Sequence, residues 1–229
     1  RFEHHIRSCT QNYTRPAYIL NIDISGYFMS INKGILYSII CDTFEKFKKR
    51  PLHRNTSTTW DEVLDFNFID YLVRLELFSN PLENCHIIGN TSLRNILPAN
   101  KSMFYSPLGT GVTIGRVTNQ LNSNIYMNEF DQHAKRVLHC KHYGRYVDDA
   151  RVISEDLHFL EDVRDASAEF LKERLKLTVH PKKTNIISTE DTALFLGGAF
   201  RNYRRYAANK TVERFREKIK ICEDLVCST

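Results

Sequence analysis

Tyr146-Val147-Asp148-Asp149-Ala150-Arg151-Val152-Ile153 places two adjacent carboxylates between runs of β-prone residues. Val, Ile and Tyr favour strands, so the acid pair falls at the turn between two short strands. Two acids at a tight turn share one small volume. Their repulsion favours a multivalent cation, and Mg²⁺, a hard ion that takes oxygen ligands, suits them. An isolated Asp-Asp doublet is most often a solvated turn and decides nothing alone. Upstream, Tyr18-Ile19-Leu20-Asn21-Ile22-Asp23-Ile24-Ser25-Gly26-Tyr27-Phe28 is an apolar strand ending in one acid and followed by two aromatics. Asp23 by itself reads as a turn or helix-cap residue. If the strands are neighbours in one sheet, Asp23 meets the Asp148-Asp149 pair, and the three form the donor set of a two-metal phosphoryl-transfer site.

These residues resemble motifs A and C of the reverse transcriptases, with Phe28 five residues beyond Asp23. Between them lies Ile114-Gly115-Arg116-Val117-Thr118-Asn119-Gln120. After them come Leu177-Thr178-Val179-His180-Pro181-Lys182-Lys183-Thr184 and Phe195-Leu196-Gly197-Gly198, where motifs B, D and E belong. The chain is similar to the bacterial reverse transcriptases of diversity-generating retroelements, whose motif B reads aliphatic-Gly, three residues, Ser-Gln. Ile114, Gly115 and Gln120 follow that pattern, with Asn119 in place of the serine. Ala150 stands where that family usually has an aromatic residue.

The resemblance implies an α+β polymerase palm, an antiparallel sheet with helices on one face and the other face free for nucleic acid, plus partial fingers. It implies divisions at 1–20 (end of the fingers, lead-in helix), 21–47 (palm, motif A), 48–107 (fingers and palm helices with irregular loops), 108–200 (palm, motifs B to E) and 201–229 (start of the thumb). The chain opens at Arg1 with a helix-like stretch under way, and the basic fingers segment that grips a triphosphate is expected upstream of it.

By the same resemblance Asp23, Ile24, Asp148 and Asp149 hold two Mg²⁺ ions, with Mn²⁺ as a substitute, and Lys183 protonates or neutralises the leaving pyrophosphate. Phe28 is a steric gate against a ribose 2′-OH; read from its residues alone it is an aromatic of the core. Gly115 is either a plain turn or a place where backbone approaches a nucleotide closely. Ile114 then packs on the nascent pair where more faithful relatives place a hydrogen-bonding Gln, which loosens selection. Gln120 completes the nucleotide-binding set. Lys182 and Lys183, after a proline, otherwise read as surface, and His180 as a turn residue. Arg201, Arg204 and Arg205, interleaved with Tyr203 and Tyr206 after the Gly197 turn, offer phosphate contacts and stacking; the bland alternative is a solvated strand. Lys141, His142 and Arg145 form a weaker basic group.

The length, 229 residues, allows a sizeable core, and 42% hydrophobic with 26% charged residues is ordinary for a globular protein. A net charge of +5, from 32 Lys and Arg against 27 Asp and Glu, suits a polyanionic partner without establishing one. No apolar run approaches membrane-spanning length and no signal-peptide profile opens the chain. Cys9, Cys41, Cys85, Cys140, Cys222 and Cys227 have no metal-binding spacing, so reduced thiols in a cytoplasm, with neither zinc nor disulfides, are expected.

Periodicity predicts a helix over 35–48 (Leu36, Ile39, Ile40, Phe44, Phe47) and another, capped around Thr59, marked by Leu64, Phe68, Leu72 and Leu75. Pro81, Pro98 and Pro107 with Gly89, Gly109 and Gly111 predict loops and short strands over 79–113. Tyr126, Phe130, Ala134 and Val137 mark a helix after Gln120, and Leu160, Val163, Ser167 and Phe170 the next. Strands are expected over 176–200, and a last amphipathic helix near 210–226 with Val212, Phe215, Ile219 and Cys222 on one side.

The function implied is RNA-directed DNA synthesis, error-prone and retroelement-linked. Its partners are an RNA template, a DNA primer, dNTPs and a small basic helical accessory protein. A group II intron-type enzyme and a non-catalytic nucleic-acid-binding module on a palm scaffold are the alternatives.

Overall fold

The computed structural model describes residues 1–83, 85–86, 88 and 96–227. Gly89, one of the expected loop residues, lies outside them. The elements run α1 (Phe2–Cys9), β1 (Tyr18–Ile22), α2 (Tyr27–Ser30), α3 (Lys33–Lys48), α4 (Trp60–Val63), α5 (Phe66–Phe78), α6 (Val117–Gln132), β2 (His142–Tyr146), β3 (Asp149–Ser154), α7 (Leu157–Arg174), β4 (Asn185–Ser188), β5 (Ala193–Phe195), β6 (Gly198–Arg201), β7 (Arg204–Ala207) and α8 (Asn209–Cys227). Four antiparallel strands form one sheet in the order β2-β3-β1-β4, and β5-β6-β7 form a second. β1 runs through the expected division at 20/21 and lies wholly in the first sheet.

Alternation along β1 and β3 gives the sheet two different faces. Leu20, Ile22, Ala150 and Val152 point to one face and are buried against Leu36 and Ile40 of α3, Tyr126, Met127 and Phe130 of α6, and Leu160, Val163 and Leu171 of α7. Each Leu, Ile, Val, Met or Phe among them contributes about 1.5–3 kcal/mol by leaving water. Side-chain caps start three of the helices: Asn32 accepts from Ile35 N, Asp65 from Asn67 N and Phe68 N, and Asp156 from Phe159 N. Ala150 is 0% exposed on this face. Helices press on it directly, so an aromatic there would overpack the core.

The other face is not bare, as expected, but carries a second core. Ile19 and Ile153 pack with Ile6 and Cys9 of α1 and Ala193 of β5. The small apolar patch at one end of this face is large enough to hold α1 and the second sheet. Asn21, Asp23, Asp149 and Arg151 lie on the same face by the same alternation, towards its other end.

The helices depart from the apolar spacing in several places. The helix from Thr59 is two helices, because Asp65 caps a new start and Leu64 turns extended. Leu64, Phe68, Leu72 and Leu75 are exposed, Phe68 by 57%, and of α5 only Leu77 is buried. Val137 is exposed because α6 ends in a π-helical turn over His133–Val137, whose extra residue per turn rotates it off the apolar face. Phe47 of α3, and Phe215, Ile219 and Cys222 of α8, are likewise exposed. No helix among the described residues is long and apolar enough to cross a membrane.

Candidate active site

β2 and β3 pair as Tyr146↔Asp149, leaving Val147-Asp148 as a two-residue turn. Val147 has φ +57°, a left-handed conformation costly for a β-branched residue and characteristic of sites where surroundings over-determine the backbone. The restraint is Arg145. Its Nη1 donates to Val147 O at 2.6 Å, while Nε and Nη2 grip the two oxygens of Asp131 at 2.8 and 2.7 Å. Tyr143 donates to the same carboxylate at 2.6 Å. Arg145, with an 8% exposed side chain, thus braces the turn from within.

β1 and β3 pair as Ile22↔Ala150. Continuing that register sets Asp23 opposite Asp149 and Ile24 opposite Asp148. On the other edge Ser25 N donates to Thr178 O at 2.9 Å and His180 N to Asp23 O at 2.7 Å. Ile24, bridged to Val179 between these bonds, therefore turns its own N–H and C=O towards the β3 side, where the acid pair stands. Thr184 N and Lys183 N both donate to His180 O, closing a turn that carries Lys183 Nζ to 3.0 Å from Asp23 Oδ2. His180 is a turn residue, as expected.

Burial, then the charges of Asp23 and Asp148, hold the Asp149 carboxyl at about 6 despite the neighbouring Arg151. Burial, then Asp23, raises Asp148 as well. The fold has thus brought the three predicted acids within electrostatic reach of one another. All their donors are oxygens, and Asp149 Oδ1 is buried without a hydrogen bond, lying 2.8 Å from Arg151 Nη1 but off the donor axis. That chemistry fits a hard divalent cation. Among the described residues no three acid, His or Cys side chains are gathered closely enough to hold one ion as they stand. Lys183 on Asp23 and Arg151 on Asp149 supply the counter-charge instead.

Phe28 lies in α2 just beyond Asp23, half-buried, in edge contact with Tyr27 at 5.3 Å between ring centres. Its carbonyl accepts from Val112 N at 2.9 Å, so the loop leading to Ile114 and Gly115 is anchored beside it. Ile114 is exposed. Gly115 has φ +103° with no protein atom within 4 Å of where a Cβ would stand, so its backbone conformation calls for glycine and the space beside it is open. Gln120 is exposed on the first turns of α6. Asn119, a departure from the motif, proves structural: 5% exposed, it donates to Thr113 O at 2.9 Å and Thr113 Oγ1 at 2.8 Å and fixes the loop between them. Asn119→Ala leaves Thr113 unpaired in a confined place and is expected to cost about 1–3 kcal/mol, read from urea denaturation midpoints.

Leu196 and Gly197, with φ +49° and +76°, make the β5–β6 turn. Arg201 pairs with Arg204 across the next turn, and Arg201, Arg204 and Arg205 are all exposed. Arg205 stacks over Phe200 at 5.5 Å and, with Arg151, Tyr146 and Phe195, lines a cleft of about 920 Å³ between α1, β2, β3 and the second sheet. Arg205 thus borders the same cleft as the β2 and β3 strands that lead to the acid turn, though the three acids themselves do not line it.

The family model for "Reverse transcriptase (RNA-dependent DNA polymerase)" matches residues 2–200. No curated protein matches. Among solved structures, apo telomerase from Candida tropicalis truncated from its C-terminal domain aligns at TM-score 0.59 and 14% identity, over 91% of this chain and 39% of that one. The same organism's telomerase in complex with a TWJ fragment of telomeric RNA gives 0.60 and 15%, over 90% and 32%. The Candida albicans telomerase with its TWJ fragment gives 0.59 and 13%, over 91% and 33%. The chain therefore spans less than two fifths of those telomerases, and at such identities the likeness is one of fold: an α+β polymerase palm. With that fold, and a family match over nearly its whole length, the chain belongs to the reverse transcriptases.

Proposed function

We propose that this chain is the catalytic core of an RNA-directed DNA polymerase that adds dNMP to a primer 3′-OH by two-metal nucleotidyl transfer. The supporting observation is the meeting of Asp23 with the Asp148-Asp149 turn across β1 and β3, with Lys183 over Asp23. Asp23, the Ile24 carbonyl, Asp148 and Asp149 would hold two Mg²⁺ ions, for which Mn²⁺ can substitute. When bound, such ions lower the pKa of the attacking hydroxyl and neutralise the departing pyrophosphate. Lys183, with a 58% exposed side chain, leaves Asp23 and delivers its proton to the pyrophosphate oxygen. Phe28 closes the space a 2′-OH would need. Ile114 and Gly115 lie under the nascent pair, with Gln120 beside them. Arg201, Arg204 and Arg205, following Gly197, hold backbone phosphates at the start of the thumb.

Ile114, Gly115 and Gln120 carry the finer reading of error-prone copying in a bacterial diversity-generating retroelement. Its setting is the cytoplasm and its partner a small basic helical protein. Primer extension on an RNA template followed by sequencing of the product tests this: errors concentrated at template adenines are expected, and an even spectrum contradicts it. Phe28→Ala is expected to raise the ratio of ribonucleotide to deoxyribonucleotide incorporation by about tenfold. An unchanged ratio in a folded variant returns Phe28 to the core.

The raised carboxyls give a pH test of the metal reading. Below about 6 Asp149 is protonated and competes with a cation. Mg²⁺ is therefore expected to raise the melting temperature more at pH 7.5 than at pH 5, and an equal shift at both would place the binding elsewhere.

A further inference from the structure

We propose that Arg151 is a positioning residue that couples the β5–β6 hairpin to the acid turn, so that the segment proposed above to hold backbone phosphates moves with Asp149. The bridge is a single guanidinium. Its Nη1 and Nη2 lie 2.8 and 3.1 Å from the two oxygens of Asp149, and Nη2 also donates to Leu194 O at 3.4 Å. The guanidinium plane sits over the Phe195 ring at 5.3 Å, and Phe195 in turn packs on Phe2 of α1 at 4.8 Å. The side chain is 11% exposed. Arg151 belongs to the first sheet and Leu194 and Phe195 to the second, and among the described residues no strand pairing joins the two sheets. A planar fork can serve a carboxylate, a carbonyl and a ring face at once; an ammonium cannot. The functional side of this inference rests on the polymerase reading, but the coupling itself does not.

The test compares the whole chain with its Arg151→Met, Arg151→Lys and Asp149→Asn variants by amide hydrogen exchange and by primer extension. Among the described residues Asp149 has no hydrogen bond or ion pair to the second sheet, yet through Arg151 its change to Asn is expected to speed exchange of the Phe195, Gly198 and Phe200 amides by about tenfold while β1 amides keep their rates. Arg151→Met should do the same, and the double variant no more than either, as sites acting through one link require. Arg151→Lys, which keeps the charge but not the fork, should recover the exchange rates only in part. In primer extension Arg151→Met is expected to lower kcat by about a hundredfold with the dNTP KM within about twofold, because the held backbone phosphates and not the nucleotide are displaced. Hairpin exchange unmoved by Asp149→Asn, or additive effects in the double variant, overturns the coupling. A KM effect with kcat intact overturns its role in the reaction. Exchange needs no catalysis, so the exchange rates decide for or against the bridge whether or not the chain extends a primer, and the primer-extension result bears on the functional side alone.

Discussion

Asp148→Asn is expected to lower RNA-templated DNA synthesis by about a thousandfold while the protein stays folded, which primer extension and thermal melting measure together. The substitution keeps the shape of the side chain and removes one charge. In the folded chain that charge is already disfavoured by burial and by Asp23, so its loss relieves repulsion and costs no stability. The same charge is what a divalent ion needs. The variant should therefore melt at or above the parent's temperature and lose the Mg²⁺-dependent rise. Undiminished synthesis would remove Asp148 from the reaction, and an unfolded variant would make the acid turn a structural device.

Arg145→Met is expected to be the most destabilising single change near the site, at about 3–5 kcal/mol, read as a shift in urea midpoint with an unchanged slope. Arg145 is 8% exposed and holds Asp131 through two hydrogen bonds. Removing it strands a partly buried carboxylate, and the Tyr143 hydroxyl alone cannot neutralise it. The turn also loses the hydrogen bond that fixes Val147. Pairing Arg145→Met with Asp131→Leu should restore much of the stability, since two apolar groups leave no orphaned charge. The double variant should still synthesise DNA poorly, because stability returns without the brace on the turn. Full recovery of synthesis would mean that the strand pairing alone sets the acids.

The acids were legible in the sequence because each sits at the end of a β-prone run, and strand ends that pair bring their side chains together. For Lys183 only the resemblance spoke, and the turn at His180 is what brings its ammonium to Asp23. Arg145 and Arg151 were not, because nothing in a run of residues says which cation turns inward. Asp131 is fourteen residues from Arg145 and Leu194 forty-three from Arg151. Asn119 looked like a lapse from a motif, and only its two hydrogen bonds to Thr113 show what an amide does there that a serine could not. The apolar spacing of Leu64, Phe68, Leu72 and Leu75 gave a helix face correctly but not its covering, because periodicity measures amphipathicity and not contact. Val137 was misplaced by a π-turn, which leaves no mark in apolar spacing until a residue falls out of phase.

If Asp23 and the Asp148-Asp149 turn make one cation site, Mn²⁺ should occupy it, and anomalous diffraction from crystals of the chain soaked in Mn²⁺ would locate the ion. A peak is expected between the carboxylates of Asp23 and Asp148, with the Lys183 ammonium withdrawn from Asp23. Strong manganese peaks elsewhere, with Lys183 still on Asp23 and no density between the acids, would contradict a shared site.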